Sequence, residues 1–320
     1  MADSSYMSTT RTTVSPAFMI STSSESSDGD AKSDKIVFGG KGTGIGKFKT
    51  NSGVVVSTNN EIFVTDMHNR RVQIFTIDGA FLGNFSTVVP GENDIAMLPY
   101  DIAIDGKANL WVVGKHIYVN EKPVRLAVYV VKYNRDGLPR TKFDIPYSTT
   151  YWLPTITVDT RRDKIIVVDK GKVFTYAPES YYQRSEFTTI PGYLVSYVTV
   201  DLTGNILLTY DYPRDYGSVH VYSRNGDGQL LFKFGTKGNG QLRNPKGICV
   251  DPTSGNILVA NRNRERVDMF TSSGVYVRTV VEAPRPGGIA LGPDGHLVVN
   301  TDGFTVTVFP QDMWFLGMNE

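Results

Sequence analysis

Residues 38–85 decide the fold and read FGGKGTGIGKFKTNSGVVVSTNNEIFVTDMHNRRVQIFTIDGAFLGNF. Residues 234–280 repeat the same order of features as FGTKGNGQLRNPKGICVDPTSGNILVANRNRERVDMFTSSGVYVRTV. Each copy begins with a glycine-rich loop that carries lysine and continues as four short apolar or alternating segments separated by polar turns. Four short strands in roughly 45 residues are typical of one β-propeller blade. One structural unit is therefore written at least twice.

Weaker copies of this unit give the number of blades. The first apolar strand of each copy is predicted at 54–56, 101–105, 156–159, 198–201, 247–251 and 288–291. These segments lie roughly 41 to 54 residues apart, and each is followed closely by a second apolar strand. A single blade cannot bury both of its faces, so the ring must close. The sequence predicts an all-β fold, a six-bladed β-propeller of four-stranded antiparallel blades.

The best-formed blade resembles an NHL repeat. Its matching segments are 62–66, 69–75 and 78–82, and the fifth blade repeats them at 257–259, 266–270 and Gly274. The ring is similar to the C-terminal propeller of tripartite-motif (TRIM-NHL) proteins. The resemblance implies that one face binds RNA, or a protein substrate delivered to ubiquitin transfer. We expect no RING domain, B-box or coiled coil within these residues, so ubiquitin ligase activity would need a RING supplied elsewhere.

The two ends of the chain compete for one position in the last blade. Residues 1–34 are rich in Ser and Thr and are predicted to be a disordered tail, which leaves 35–320 as the propeller. Residues 35–39 align with the outer strand at 231–235, but residues 309–317 also offer a fourth strand. We expect the N-terminal strand to complete the blade, because a ring latched by both termini exposes no edge.

Composition restricts the function classes. The chain has 320 residues and a formal net charge of +1, and its one cysteine, Cys249, cannot form an internal disulfide or a cysteine-based metal site. No apolar stretch approaches the ~18 to 20 residues of a membrane span, and no signal peptide is recognisable. We predict a cytoplasmic protein without metal or cofactor and with neither a membrane partner nor a small-molecule substrate.

A binding site is predicted on one face of the disc. The loops that enter the first strand of each blade and join its second to its third strand share this face, which we call the top face. Cations and aromatic residues alternate there, and the predicted RNA- or partner-binding residues are Lys41, Lys47, Arg70, Lys115, Arg125, Tyr151, Trp152, Tyr210, Arg214, Tyr216, Lys237, Arg243, Lys246, Arg262 and Arg264. Cations neutralise phosphates and exposed rings accept unstacked bases, which favours RNA. Arg71 and Arg266 are expected to be structural instead, reaching Asp66 or neighbouring backbone.

Two other classes remain open. A purely protein-binding adaptor would use the same disc without needing a basic face. A metal-dependent propeller lactonase or lyase would gather carboxylates, Asn and His around its central channel. Here the inner strands carry mainly Val, Ile, Ala and Thr, and the four histidines fall at unrelated blade positions. The sequence therefore predicts a non-catalytic recognition module, with no catalytic residue assigned.

Overall fold

Six antiparallel sheets of four strands each form the described part of the chain. The computed structural model describes residues 34–93, 95–119, 125–146, 153–179, 181–190, 194–212 and 216–315. The strand β1 (Ile36–Gly39) comes first. Blades one to three contain β2 (Asn51–Val56), β3 (Glu61–Asp66), β4 (Arg71–Thr76), β5 (Phe81–Ser86), β6 (Leu98–Ile104), β7 (Leu110–Tyr118), β8 (Arg125–Tyr133), β9 (Pro139–Asp144), β10 (Thr155–Asp159), β11 (Lys164–Asp169), β12 (Lys172–Tyr176) and β13 (Gln183–Thr188). Blades four to six contain β14 (Leu194–Val200), β15 (Ile206–Asp211), β16 (Gly217–Tyr222), β17 (Leu230–Phe234), β18 (Pro245–Val250), β19 (Ile257–Asn261), β20 (Arg266–Phe270), β21 (Tyr276–Glu282), β22 (Ile289–Leu291), β23 (Leu297–Thr301) and β24 (Thr305–Phe309).

The six sheets close into a ring. The first strand of each blade contacts the first strand of the next, and β22 of blade six contacts β2 of blade one. All six predicted inner strands are present, so the prediction of a six-bladed β-propeller is confirmed. The inner strands consequently surround a central axis, and the loops that enter them meet around it.

The hydrophobic core lies between neighbouring blades. Phe63 and Val72 of blade one pack with Val112 and Val131 of blade two in one buried cluster. A corresponding cluster joins blade one to blade six, which is where the ring closes. Each blade thus covers the apolar face of its neighbour, as a closed ring requires.

The N-terminal strand completes blade six, as the sequence predicted. β1 pairs antiparallel with β24, from Ile36 opposite Val308 to Gly39 opposite Thr305. The Phe38 ring lies 4.6 Å from that of Phe75, between the centroids. The remainder of the predicted tail, residues 1–33, lies outside the described residues. Its disorder therefore stays a prediction.

The C-terminal stretch that aligned with a fourth strand forms the short helix α1 (Gln311–Trp314) instead. Blade one makes its corresponding turn at Gly79, which has a φ of 81°. Met313 aligns with that glycine, and a side chain disfavours this left-handed conformation. The Trp314 side chain is buried, and its indole N–H donates to the Gly295 carbonyl oxygen at 2.9 Å. Among the described residues, no helix is long and apolar enough to cross a membrane.

Candidate functional site

A cavity of about 740 Å³ lies on the ring axis at the top face. Its lining residues are Thr50, Asn51, Ser52, Leu153, Leu194, Val195, Ser196, Tyr197, Asn244, Lys246, Arg262, Gly287, Asn300 and Gly303. They come from the first strands of blades one, four and five, from the loops that enter first strands, from β23 and from the connections between second and third strands in blades five and six. We call this cavity the axial cup.

Tyr197 forms the floor of the axial cup. Its hydroxyl donates to the Ser52 carbonyl oxygen at 3.0 Å, and the Asn300 amide nitrogen donates to the same oxygen at 2.7 Å. Tyr197 belongs to blade four and Ser52 to blade one, which are opposite in a ring of six, so the phenol spans the axis. A second cavity of about 390 Å³, lined by the inner strands, also borders Tyr197. The axial cup is therefore blind.

The wall of the axial cup is apolar on the side of blades three and four. Leu153 is 56% exposed and Leu194 is 43% exposed, and Val195 lies beside Leu194. Large apolar side chains are costly to leave in water when they are contiguous, and such patches mark interaction sites. This side of the cup can accept apolar side chains.

Blade five supplies two cations to the same cup. The Lys246 ammonium lies 3.2 Å from the Ser196 hydroxyl and 3.5 Å from an Asp211 carboxylate oxygen. The Arg262 guanidinium donates to the Arg285 carbonyl oxygen at 3.0 Å. Burial, followed by the positive charge of Arg285, lowers the pKa of Arg262. The cup therefore combines an apolar side with a positively charged side.

Three asparagine side chains around the cup have an amide oxygen without a hydrogen-bond partner among the described residues. These are Asn51, Asn244 and Asn300. The Asn51 side chain uses its nitrogen to bond the Thr305 carbonyl oxygen at 2.6 Å, which leaves its oxygen unused. Buried polar atoms are normally satisfied, and an unsatisfied one costs about 1 to 3 kcal/mol. These oxygens are themselves buried, so they are part of the packing around the cup and are not open to it.

Two predicted binding residues are buried, and the prediction that they are exposed is wrong. Tyr210 is fully buried in β15, where its hydroxyl hydrogen-bonds that of Tyr222 at 2.9 Å. Lys115 is 1% exposed, and its ammonium lies 3.6 Å from an Asp169 carboxylate oxygen. Both residues were assigned to loops, but β7 and β15 extend further than the apolar pattern indicated.

The other predicted residues are spread over the top face. Those that are exposed are Lys41, Arg70, Arg125, Tyr216, Lys237, Arg243 and Arg264. Lys47 is half-buried and donates to the Gly39 carbonyl oxygen at 2.6 Å, and Arg125 lies 3.7 Å from the centroid of the Tyr118 ring. Of the predicted residues that the structure describes, only Lys246 and Arg262 border the axial cup. Tyr151, Trp152 and Arg214 lie outside the described residues.

Arg71 and Arg266 are structural, as predicted. The Arg71 guanidinium lies 2.9 Å from the buried Asp66 carboxylate and also donates to the Gly44 and Lys47 carbonyl oxygens. Arg266 repeats this arrangement in blade five with the Asp268 carboxylate at 2.9 Å and the carbonyl oxygen of the aligned glycine-rich loop. Each arginine thereby ties a glycine-rich loop to its blade.

Tyr197 was not among the predicted binding residues, although the repeat of the inner strands marks it as unusual. When the six first strands are aligned by their pairing with the second strands, one position of the first strand corresponds in every blade. Its occupants are Gly53, Asp101, Thr155, Tyr197, Gly247 and Gly288. A β-carbon on Gly53 would lie 2.6 Å from the Asp101 carboxylate, so neighbouring inner strands approach closely here. The other five blades have Gly, Thr or Asp at this position, so the tyrosine of blade four could have been recognised in the sequence as an exception.

Asp101 is a buried carboxyl group at this same position. It accepts hydrogen bonds from the Thr155 hydroxyl at 2.5 Å and from the Ile156 N–H at 3.0 Å. Burial nevertheless raises the pKa of Asp101 from 3.8 to about 6, because these bonds only partly replace lost hydration. Ionisation of Asp101 therefore opposes folding.

Replacing Asp101 by Asn should make stability less sensitive to pH. The folded carboxyl keeps its proton to about pH 6, whereas the unfolded one releases it near pH 3.8. Between these values the folded chain binds more protons, so wild-type stability falls as pH rises. We expect the free energy of unfolding of wild type to fall by about 2.4 kcal/mol relative to that of Asp101→Asn between pH 4 and pH 7. Urea titrations at four pH values measure it, and a constant difference would contradict the assignment.

No group of three or more His, Cys, Asp or Glu side chains that could hold a metal ion occurs within the described ranges. The four histidines were predicted to lie at unrelated positions. His220 illustrates this, because it lies buried in β16 with its ring 4.2 Å from that of Tyr210. Burial lowers the pKa of His220 to about 4.

The fold and the blade sequences together fit an NHL-like β-propeller. No family model matches the chain. The chain is 26% identical to the human E3 ubiquitin-protein ligase TRIM32 over 280 residues. This match covers 82% of the chain and 42% of TRIM32. The mouse protein of the same name is also 26% identical, over 41% of its length. The chain thus spans less than half the length of these relatives.

Solved structures similar to the chain include propeller enzymes. Virginiamycin B lyase from Staphylococcus aureus has a TM-score of 0.57 and 14% identity, over 79% of this chain and 78% of that chain. A gluconolactonase from Xanthomonas campestris has a TM-score of 0.58 and 12% identity, over 86% and 90%. At such identities the likeness shows the fold alone, since propellers with one architecture host unrelated activities.

Proposed function

We propose that this propeller is a non-catalytic recognition module that binds a protein segment in the axial cup. The observation that carries the proposal is the cup itself, a blind cavity with apolar side chains on one side and cations on the other. Its volume lies in the usual range of binding pockets, about 300 to 1,000 Å³. The likeness to a ubiquitin ligase supports this class, and a bound protein would then be a ubiquitination substrate.

Exposed apolar side chains extend this surface beyond the cup. Val119, Leu153, Leu194 and Tyr216 come from top-face loops of blades two, three and four, and they are 43% to 69% exposed. Exposed apolar side chains that lie together mark interaction sites. The top face thus offers a protein partner apolar side chains at the hairpin of β7 and β8 and also beside the axis.

A pair of matched variants tests this proposal. Leu194→Asp places a charge on the apolar side of the cup, whereas Leu230→Asp changes a leucine of similar exposure on β17, an outer strand. We expect crosslinked pull-downs from cells to lose specific proteins at least tenfold with Leu194→Asp and to retain them with Leu230→Asp. Identical protein sets from both variants and wild type would reject the cup as a binding site. Unchanged melting temperatures establish that both variants fold.

RNA binding is a second candidate because of exposed cations in blade five. Lys237, Arg243 and Arg264 are exposed on the top face and do not border the axial cup. Cations in this arrangement can neutralise phosphates without a stacked base. The burial of Tyr210 removes one of the rings that the RNA hypothesis used.

Charge reversal distinguishes the two candidates. The double variant Arg243→Glu/Arg264→Glu changes exposed residues and should cost within about 0.5 kcal/mol each in stability. If RNA binds there, affinity for single-stranded RNA should fall, and the slope of log affinity against log salt should decrease by about one unit per lost phosphate contact. Filter binding between roughly 50 and 200 mM salt measures both. Equal RNA affinity of wild type and variant would exclude this surface as an RNA site.

A further inference from the structure

The cation nearest the floor of the axial cup has no anionic partner within the described part of the chain. Arg262 borders the cup together with Tyr197. Burial, followed by the charge of Asp101, raises the pKa of Tyr197, and the positive charge of Arg262 offsets a small part of that rise. Arg262 therefore lies close to the phenol that forms the floor. No carboxylate of a described residue lies within ion-pair distance of its guanidinium, and the charged residues that act on it from further away are the cation Arg285 and, more weakly, the carboxylate of Asp302. A half-buried guanidinium in this position favours a ligand that brings a carboxylate.

The floor itself is closed to a ligand. Asn51 is 6% exposed and Asn300 is 2% exposed, and the amide oxygen of each is buried without a partner among the described residues. Both residues border the cup beside Ser52, whose carbonyl oxygen is already bonded by Tyr197 and Asn300. The charged groups at the side of the cup are therefore the polar contacts that a ligand meets.

The shape of the cup favours a chain end over a passing chain. Tyr197 closes the axis beneath it, so a segment that enters must turn back or terminate. Leu153 and Leu194 leave an apolar side for the last side chains of such a segment. A carboxylate and an apolar side chain occur together in the final residue of a polypeptide.

We propose that the axial cup recognises the free C-terminal carboxylate of a partner protein that ends in apolar residues, with Arg262 as the main contact to the carboxylate. This inference rests on the proposed protein-binding function and names the feature that is recognised. Lys246 contributes less to the carboxylate, because Asp211 and Ser196 already engage its ammonium.

Three bead-bound peptide libraries test the inference. The first displays random tetrapeptides with a free C-terminal carboxylate, the second displays the same sequences with a C-terminal amide, and the third is anchored at the C-terminus with an internal Asp or Glu. Fluorescently labelled full chain is applied as wild type, Arg262→Gln and Arg264→Gln. Arg264 is the matched control, since it is an exposed arginine of the same turn that does not border the cup.

We expect the wild type and Arg264→Gln to select peptides of the first library that end in Leu, Ile, Val or Met. Amidation of the selected peptides should weaken binding at least tenfold in fluorescence anisotropy, as should Arg262→Gln. The comparison of acid and amide uses only wild-type protein, so it does not depend on the folding of a variant. Equal binding of acid and amide, selection from the third library alone, or no selection at all would overturn the inference.

The two proposals fail in different ways. If Leu194→Asp still removes crosslinked proteins while the first library selects nothing, protein recognition in the cup stands and the C-terminal carboxylate does not. If the pull-down shows no dependence on Leu194 and the libraries select nothing, both proposals fail.

Discussion

Deletion of residues 1–39 is expected to lower the melting temperature by at least about 10 °C. The deletion removes β1, which supplies the fourth strand of blade six and packs Ile36 and Phe38 against the cluster that joins blades six and one. Full burial of such a side chain contributes about 1.5 to 3 kcal/mol, so these two partly buried side chains contribute up to that amount each. The strand β24 also loses its paired edge. A loss of 1 kcal/mol lowers the melting temperature of a large domain by about 2 to 4 °C.

The control for this deletion is a shorter one that removes only residues 1–33. We expect its melting temperature, followed by circular dichroism, to match that of the full chain, because the sequence predicts a tail that buries little apolar surface. A deletion of residues 310–320 that destabilised more than the loss of β1 would contradict the N-terminal strand as the main closure of the ring.

Replacing Arg71 by Ala should destabilise the protein by about 3 kcal/mol. The Arg71 side chain is 13% exposed and the Asp66 carboxylate is fully buried, so the substitution leaves a buried charge without its cation. It also removes two of the hydrogen bonds that tie the glycine-rich loop to blade one. The midpoint of urea unfolding gives the change, provided that the slope of the transition is unaltered.

Arg135→Ala is the matched control for the buried arginine. Arg135 pairs with Glu61 at 2.7 Å, but its side chain is 49% exposed. Exposed ion pairs contribute about 0 to 1 kcal/mol, so this variant should unfold close to the wild type. Similar losses from the two substitutions would mean that burial of the Arg71 pair is not what stabilises blade one.

The fold could be predicted because each blade has the same local pattern. Val54 and its counterparts belong to apolar inner strands in all six copies. The Asp-Gly turn at Gly79 predicts the hairpin between the third and fourth strands of blade one, and the alignment gives the position of the same hairpin in other blades. The N-terminal closure followed from the same alignment and is confirmed by the pairing of β1 with β24. The alignment predicted a fourth strand at the C-terminus, but a helix forms there. Met313 stands where blade one has Gly79, and a side chain disfavours the left-handed backbone conformation of that glycine.

The candidate site could be predicted only in part, because exposure depends on where strands end. Lys246 and Arg262 were placed on the correct face, but the strand extensions that bury Lys115 and Tyr210 leave no mark in the apolar pattern. Tyr197 escaped because its role requires a partner across the axis, 145 residues away in the chain. Contacts between opposite blades form only when the ring closes, whereas the repeating sequence pattern predicts the strands and turns within each blade.

The closure by β1 has a consequence for how the chain folds during synthesis. Ile36 pairs with Val308, so the first strand of the propeller cannot pair until the last strand, β24, has been synthesised. At roughly 5 to 20 residues per second, the ribosome takes about 15 to 55 s to make the chain between them. Throughout that interval Phe38 lacks the hydrophobic contacts of blade six, and the ring cannot close. We expect this non-local pairing to be the slow step of folding and the period in which the nascent chain depends most on chaperones.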